Sequence, residues 1–128
     1  MKHKIEILTY DFTIHQLNRD EKIPNEILQS EYFWIGKTDK ELSIVCDSSF
    51  NINNSKSEAG WKALKLKGPF DFSEIGILSA VSKILADAQI SIFVISTYNT
   101  DYILVKKDKL ENAIQALQQN GYYIEQIV

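Results

Sequence analysis

The sequence predicts an α+β fold of the ferredoxin-like (βαββαβ) type, on three observations. Residues 59–128 run in the order strand, helix, strand, strand, helix, strand. Each of the two helical segments is apolar along one face only, as on a sheet covered by helices on one side. Residues 1–58 open on a reduced form of the same plan.

Taken in order, Ile5 to Leu17 is rich in β-branched and aromatic residues with alternating apolar positions, which predicts a strand. Its parity switches near Thr9, as at a bulge or in a strand apolar on both faces. Pro24 suits the first turn of a short helix ending before Glu31. Tyr32–Lys37 and Leu42–Cys46 read as a hairpin joined by a polar loop. Asp47 to Glu58 is Ser/Asn-rich and aperiodic, so it reads as a surface loop and the domain boundary. The expected division is 1–58, a reduced first unit, and 59–128, a complete second unit.

Gly60–Lys67 is the next strand, ended by Gly68-Pro69. Ile77, Leu78, Val81, Ile84, Leu85 and Ala88 recur at helical spacing over Glu74–Ala88, and Asp71 or Ser73 can cap that helix. Ile90–Ser96 is apolar on both parities, as in a strand covered on both faces. Tyr102–Lys106, a helix from about Asp108 through Leu117, a cap at Gly121 and a last strand over Tyr122–Val128 complete the pattern. One sheet face of such a fold needs cover from a partner sheet or a second chain, so a homodimer is expected.

Composition narrows the function classes. The chain has 128 residues, 45% apolar and 24% charged, with net charge -3 and a pI near 5.4. That is globular composition without the basic footprint that nucleic-acid binding leaves. No apolar run is long enough to span a bilayer, and no signal peptide is evident, so a cytoplasmic protein is expected. The lone Cys46 sits in an apolar run and reads as a core thiol. His3 and His15 have no ligand-spaced partners, so neither a metal nor a cofactor is expected. No catalytic triad, phosphate loop or metal cluster is apparent, and an enzyme is the weakest reading.

Gly76-Ile77-Leu78, then Ile90-Ser91-Ile92, then Ser96 through Val105 (STYNTDYILV) resemble an ACT domain. The likeness is to small bacterial proteins of two tandem ACT units and to the ACT units of the cytosolic arginine sensors called CASTOR. It extends upstream through LSIVC and GWKAL, and Ser96–Val105 is its most specific part. The resemblance implies a non-catalytic regulatory module that binds an amino acid or similar metabolite between two ACT units. It places ligand contacts at Glu74, Ile75, Gly76, Ile77, Thr97, Tyr98 and Asp101. Three positions depart from the broader family pattern: Ser73 replaces an Asp, Ile75 a proline, and Gln89 a glycine at the end of the helix.

Physically, free N–H groups at the start of the helix suit a carboxylate, and Gly76 lets a ligand approach the backbone. Asp101 and Glu74 suit an ammonium, Tyr98 an aliphatic portion, and Thr97 either polar group. Each has a plainer reading: Glu74 completes a capping box, Gly76 serves close packing, and Asn99-Thr100-Asp101 forms a turn. The alternative is therefore a structural or protein-interaction ACT protein with no ligand. Either version would act through a protein effector that the sequence does not identify.

Overall fold

A computed structural model describes residues 4–53, 55–66 and 76–126. The elements run β1 (Lys4–Ile7), β2 (Phe12–Leu17), α1 (Asn25–Leu28), β3 (Phe33–Lys37), β4 (Leu42–Asp47) and β5 (Lys56–Leu66). They continue with α2 (Ile77–Asp87), β6 (Ile92–Ser96), β7 (Asp101–Lys106), α3 (Leu110–Gln119) and β8 (Tyr123–Gln126). A 3-10 turn, Lys107–Lys109, leads into α3. The chain forms two compact units: residues 10–60, and the N-terminal residues through Thr9 together with those from Trp61 onward.

The second of these units follows the expected strand, helix, strand, strand, helix, strand order from β5 to β8. Its sheet has the order β8-β1-β5-β7-β6. Among these strands β1 and β8 are parallel and the other pairs antiparallel. The N-terminal strand is thus set between the first and last strands of the pattern. Ile5 lies opposite Leu66 on one side and Ile124 on the other.

Alternation explains why β1 fits there. Ile5 and Ile7 point to the helix-covered face and join Leu64, Leu66, Val81, Leu85, Ile103, Val105, Ala113 and Leu117 in one apolar core. Lys4 stands on the opposite parity, and its Nζ lies 2.8 Å from a Glu125 carboxylate oxygen on β8. The pairing continues past the strand, where the Leu8 N–H donates to the Ala63 carbonyl at 3.0 Å.

The sequence reading differs here in two ways. Residues 5–17 form two strands, not one bulged strand. The parity switch near Thr9 marks the passage from one compact unit to the other. Residues 4–9 also pack with the second unit, whereas the sequence grouped them with the first. Strand β5 begins at Lys56, earlier than its apolar alternation suggests, and carries a left-handed Gly60 (φ +82°).

Helix α2 buries Val81 and Leu85, with Ile77, Leu78 and Ile84 packed beside them, as its spacing predicts. Just past its end at Asp87, Gln89 takes φ +61°, while the Ile90 N–H donates to the Leu85 carbonyl at 3.0 Å. This left-handed position is the one where the family pattern has glycine. A residue with a Cβ is strained there by about 1–2 kcal/mol. Gln89→Gly is expected to stabilise the chain by about 1 kcal/mol and raise Tm by several degrees, measured by calorimetry. An unchanged or lower Tm would mean that Gln89 gains from its side chain what its backbone costs.

Strand β6 is less covered than its apolar sequence suggests. Ile90 is buried, but Ile92, Phe93 and Ile95 are only half-buried and Val94 is 37% exposed. Among the described residues β6 pairs with β7 alone, which makes it a sheet edge.

In the unit of residues 10–60, β4 lies between β2 and β3, and both neighbours are antiparallel to it. Pro24 precedes α1, as expected, and Ile27 on that short helix is fully buried. Leu17, Ile27, Leu42, Ile44 and Cys46 form the core of one sheet face, with Phe33, Phe50 and Ile52 packed against it. Burial, helped by the Asp47 carboxylate, pushes the Cys46 thiol up to about 11. The opposite parity carries an aromatic cluster in which Phe12 lies 5.6 Å from Trp34 and 6.5 Å from Tyr32, centroid to centroid.

Candidate functional site

The register of the second unit's sheet sets the end of β5 beside the β6–β7 turn. Leu66, the last described residue of β5, pairs with Asp101, and Asp101 pairs with Ser96. The strand end that leads toward α2 therefore stands in the same row as the β6–β7 turn.

Within that turn the Ser96 hydroxyl donates to the Asp101 carboxylate at 2.6 Å. The Thr97 N–H and hydroxyl both donate to the Thr100 carbonyl, at 2.8 and 3.0 Å. Thr97 and Asp101 thus already hold the turn, which for Asp101 is the plainer role the sequence allows. Asp101 is half-buried, and Tyr98 at the tip is 78% exposed.

Gly76 precedes α2 with φ +89°, in the left-handed region that favours glycine, and a Cβ there would meet nothing within 4 Å. Among the described residues, Gly76 is thus placed by its backbone conformation. Ile77 packs its side chain against the core. Glu74 and Ile75, like the capping candidates Asp71 and Ser73, lie outside the described residues.

Cavities among the described residues lie elsewhere. One of about 230 Å³, lined by Ile7, Leu8, Thr9, Lys62, Leu110 and Gln126, belongs to the unit containing β1. There the Lys62 ammonium donates to the Thr9 carbonyl at 3.1 Å. Two more belong to residues 10–60. One, of about 460 Å³, lies along Gln16–Asn18, Lys40, Ser55 and Lys56. The other, of about 420 Å³, is lined by Thr13, His15, Phe50, Ile52, Ala59 and a set of Ser and Asn side chains.

His15 was set aside in the sequence as a histidine without ligand-spaced partners. In the fold it is 5% exposed, and its Nδ1 lies 3.1 Å from the Ser55 hydroxyl. Burial holds its pKa below the ordinary histidine value, so the ring is neutral. The signal available in the sequence was parity, since Thr13, His15 and Leu17 share one face of β2. The loop that closes over that face comes from the aperiodic Ser/Asn stretch and was not readable. Among the described residues, no group of three or more His, Cys, Asp or Glu side chains could hold a metal.

Comparison with known proteins bears on this layout. An ACT domain family model matches residues 56–119, and a second model, of an N-terminal domain, matches residues 10–53. The human cytosolic arginine sensor for mTORC1 subunit 1 is 34% identical over 87 residues. That match takes in 61% of this chain and 26% of the sensor, so the chain spans about a quarter of the length of the curated relatives it matches. A structural-genomics crystal structure of an Agrobacterium tumefaciens protein superposes with TM-score 0.91 at 33% identity, covering 100% of this chain and 96% of that one. The regulatory subunit of aspartate kinase from Thermus thermophilus shares the fold, with TM-score 0.61 at 11% identity over 86% of this chain and 92% of that subunit. With its βαββαβ order from β5 to β8 and the profile match over that region, this chain belongs to the ACT domain family.

Proposed function

We propose that this chain is a non-catalytic regulatory module that binds an amino acid or similar small metabolite at an interface between ACT units. The observation that carries the reading is the family match over residues 56–119. Similarity to an arginine sensor and to an aspartate kinase regulatory subunit supports it.

The proposed site comprises Glu74, Ile75, Gly76 and Ile77 with Thr97, Tyr98 and Asp101. The row Leu66, Asp101, Ser96 supports it by setting the β5 end beside the β6–β7 turn. A carboxylate would meet the free N–H groups at the start of α2, and an ammonium the Asp101 carboxylate.

We place the protein in the cytoplasm of a bacterium, as a homodimer acting on a protein effector. No helix among the described residues is long and apolar enough to cross a membrane. The half-exposed apolar edge at β6 supports pairing with a second copy. The second reading, a structural or partner-binding ACT protein, is favoured by one observation: Thr97 and Asp101 are already engaged within their own turn.

A thermal-shift screen against the common amino acids decides between them. A ligand at about 100 times its Kd adds roughly 2.7 kcal/mol and moves Tm by several degrees. Asp101→Ala is expected to abolish that shift with little loss of stability in the ligand-free chain. If affinity survives the substitution, the site lies elsewhere. If no amino acid moves Tm, the structural reading stands.

A further inference from the structure

The cavity of about 460 Å³ in residues 10–60 gathers charge of one sign. Its wall is Gln16, Leu17, Asn18, Lys40, Ser55 and Lys56. In the sheet β2 stands between β4 and β5. Lys40, just before β4, and Lys56, which opens β5, therefore flank the end of β2 from opposite sides. Two cations from separate parts of the chain line one hollow. Among the described residues, neither ammonium has a hydrogen-bond or ion-pair partner, and no carboxylate lines the cavity.

The backbone beneath both lysines is held. The Lys40 and Glu41 N–H groups each donate to the Thr38 hydroxyl at 3.1 Å, and the Thr38 N–H donates to the Glu41 carbonyl at 2.9 Å. Arg19 Nε donates to the Thr38 carbonyl at 3.0 Å, and its guanidinium pairs with Asp20. On the other side the Ser55 hydroxyl donates to the Ile52 carbonyl at 3.1 Å, which ties down the residue before Lys56. The volume falls within the usual range of small-molecule sites, about 300–1,000 Å³. We propose that this cavity is a second, separate binding site, for a small phosphate-bearing molecule whose phosphate lies between the Lys40 and Lys56 ammoniums. Two unit positive charges match a phosphomonoester, which carries about −1.5 to −2 at pH 7, whereas a monocarboxylate would leave one cation unanswered. The Gln16 and Asn18 amides supply donors and acceptors for the rest of the guest. The site shares no residue with the proposed amino-acid site, so either can fail without the other.

The test uses the full chain and three probes, inorganic phosphate, D-glucose 6-phosphate and D-glucose, each up to about 10 mM, with binding followed by backbone-amide NMR titration. Glucose 6-phosphate is expected to bind and to shift the Lys40, Ser55 and Lys56 amides, and glucose to leave them unmoved. Lys40→Gln and Lys56→Gln change exposed side chains outside the core and are each expected to weaken binding about tenfold. Lys22→Gln, at an exposed lysine outside the cavity, is expected to leave it unchanged. Tighter binding of glucose 6-phosphate than of phosphate identifies a phosphorylated metabolite as the guest, and equal binding identifies the free anion. The proposal is overturned if neither phosphate-bearing probe binds, if glucose binds as well as its phosphate, if binding survives both cavity variants, or if Lys22→Gln weakens it as much as they do.

Discussion

Ile5→Ala is expected to destabilise the unit containing β1 by about 2–5 kcal/mol, the range for deleting a fully buried aliphatic side chain. For a domain of this size that corresponds to a fall in Tm of roughly 10 °C or more. The reason is position. Ile5 is 0% exposed and stands between Leu66 and Ile124, so its loss opens a void beneath both helices and on both sides of β1 at once. Lys4→Ala is the contrast: it removes a solvent-exposed pair with Glu125 and a contact over the Tyr123 ring, and should leave Tm nearly unchanged. Thermal melts of the two variants check this. A small loss at Ile5 would mean that β1 is a removable appendage rather than an integral strand.

Phe12→Ala is expected to cost about 3–5 kcal/mol in the unit of residues 10–60. Phe12 is 0% exposed and has Tyr10, Tyr32 and Trp34 within 6.5 Å, centroid to centroid. Cys46 offers a local readout, because its thiol is fully buried and its pKa is raised to about 11, so it reacts only when the unit opens. Disulfide-exchange labelling of Cys46 should accelerate about 100-fold or more in the variant at neutral pH. Unchanged labelling would show that the aromatic face and the Cys46 face of this sheet open independently.

Much of the fold is legible in the sequence because its signals are local. The spacing of Val81 and Leu85 finds α2, and Gly121 finds the end of α3, where it takes φ +89°. Gln89 at a glycine position announces a strained left-handed residue, and φ +61° is what the structure has. Pairings distant in the chain leave no such mark. Two isoleucines in four residues make a strand, but nothing near them says that its neighbours are Leu64–Leu66 and Ile124. The start of β5 at Lys56-Ser57-Glu58 is hidden because those polar residues show no alternation. Thr97 and Asp101 fall together because they share a turn, whereas the His15 cavity draws on residues 13 to 59, and a Ser/Asn loop reads as surface wherever it folds.

The placing of residues 10–60 between Thr9 and Trp61 also sets an order of events for a chain made from its N-terminus. Lys4 pairs with Tyr123, so β1 is made well before the strand that satisfies its second edge. Residues 10–60 have their core partners within their own span and can condense while the ribosome is still extending the chain. Until β8 is made, Lys4–Ile7 can pair only with β5 and keeps its other edge open, and closing that edge is a long-range step of the kind that slows folding.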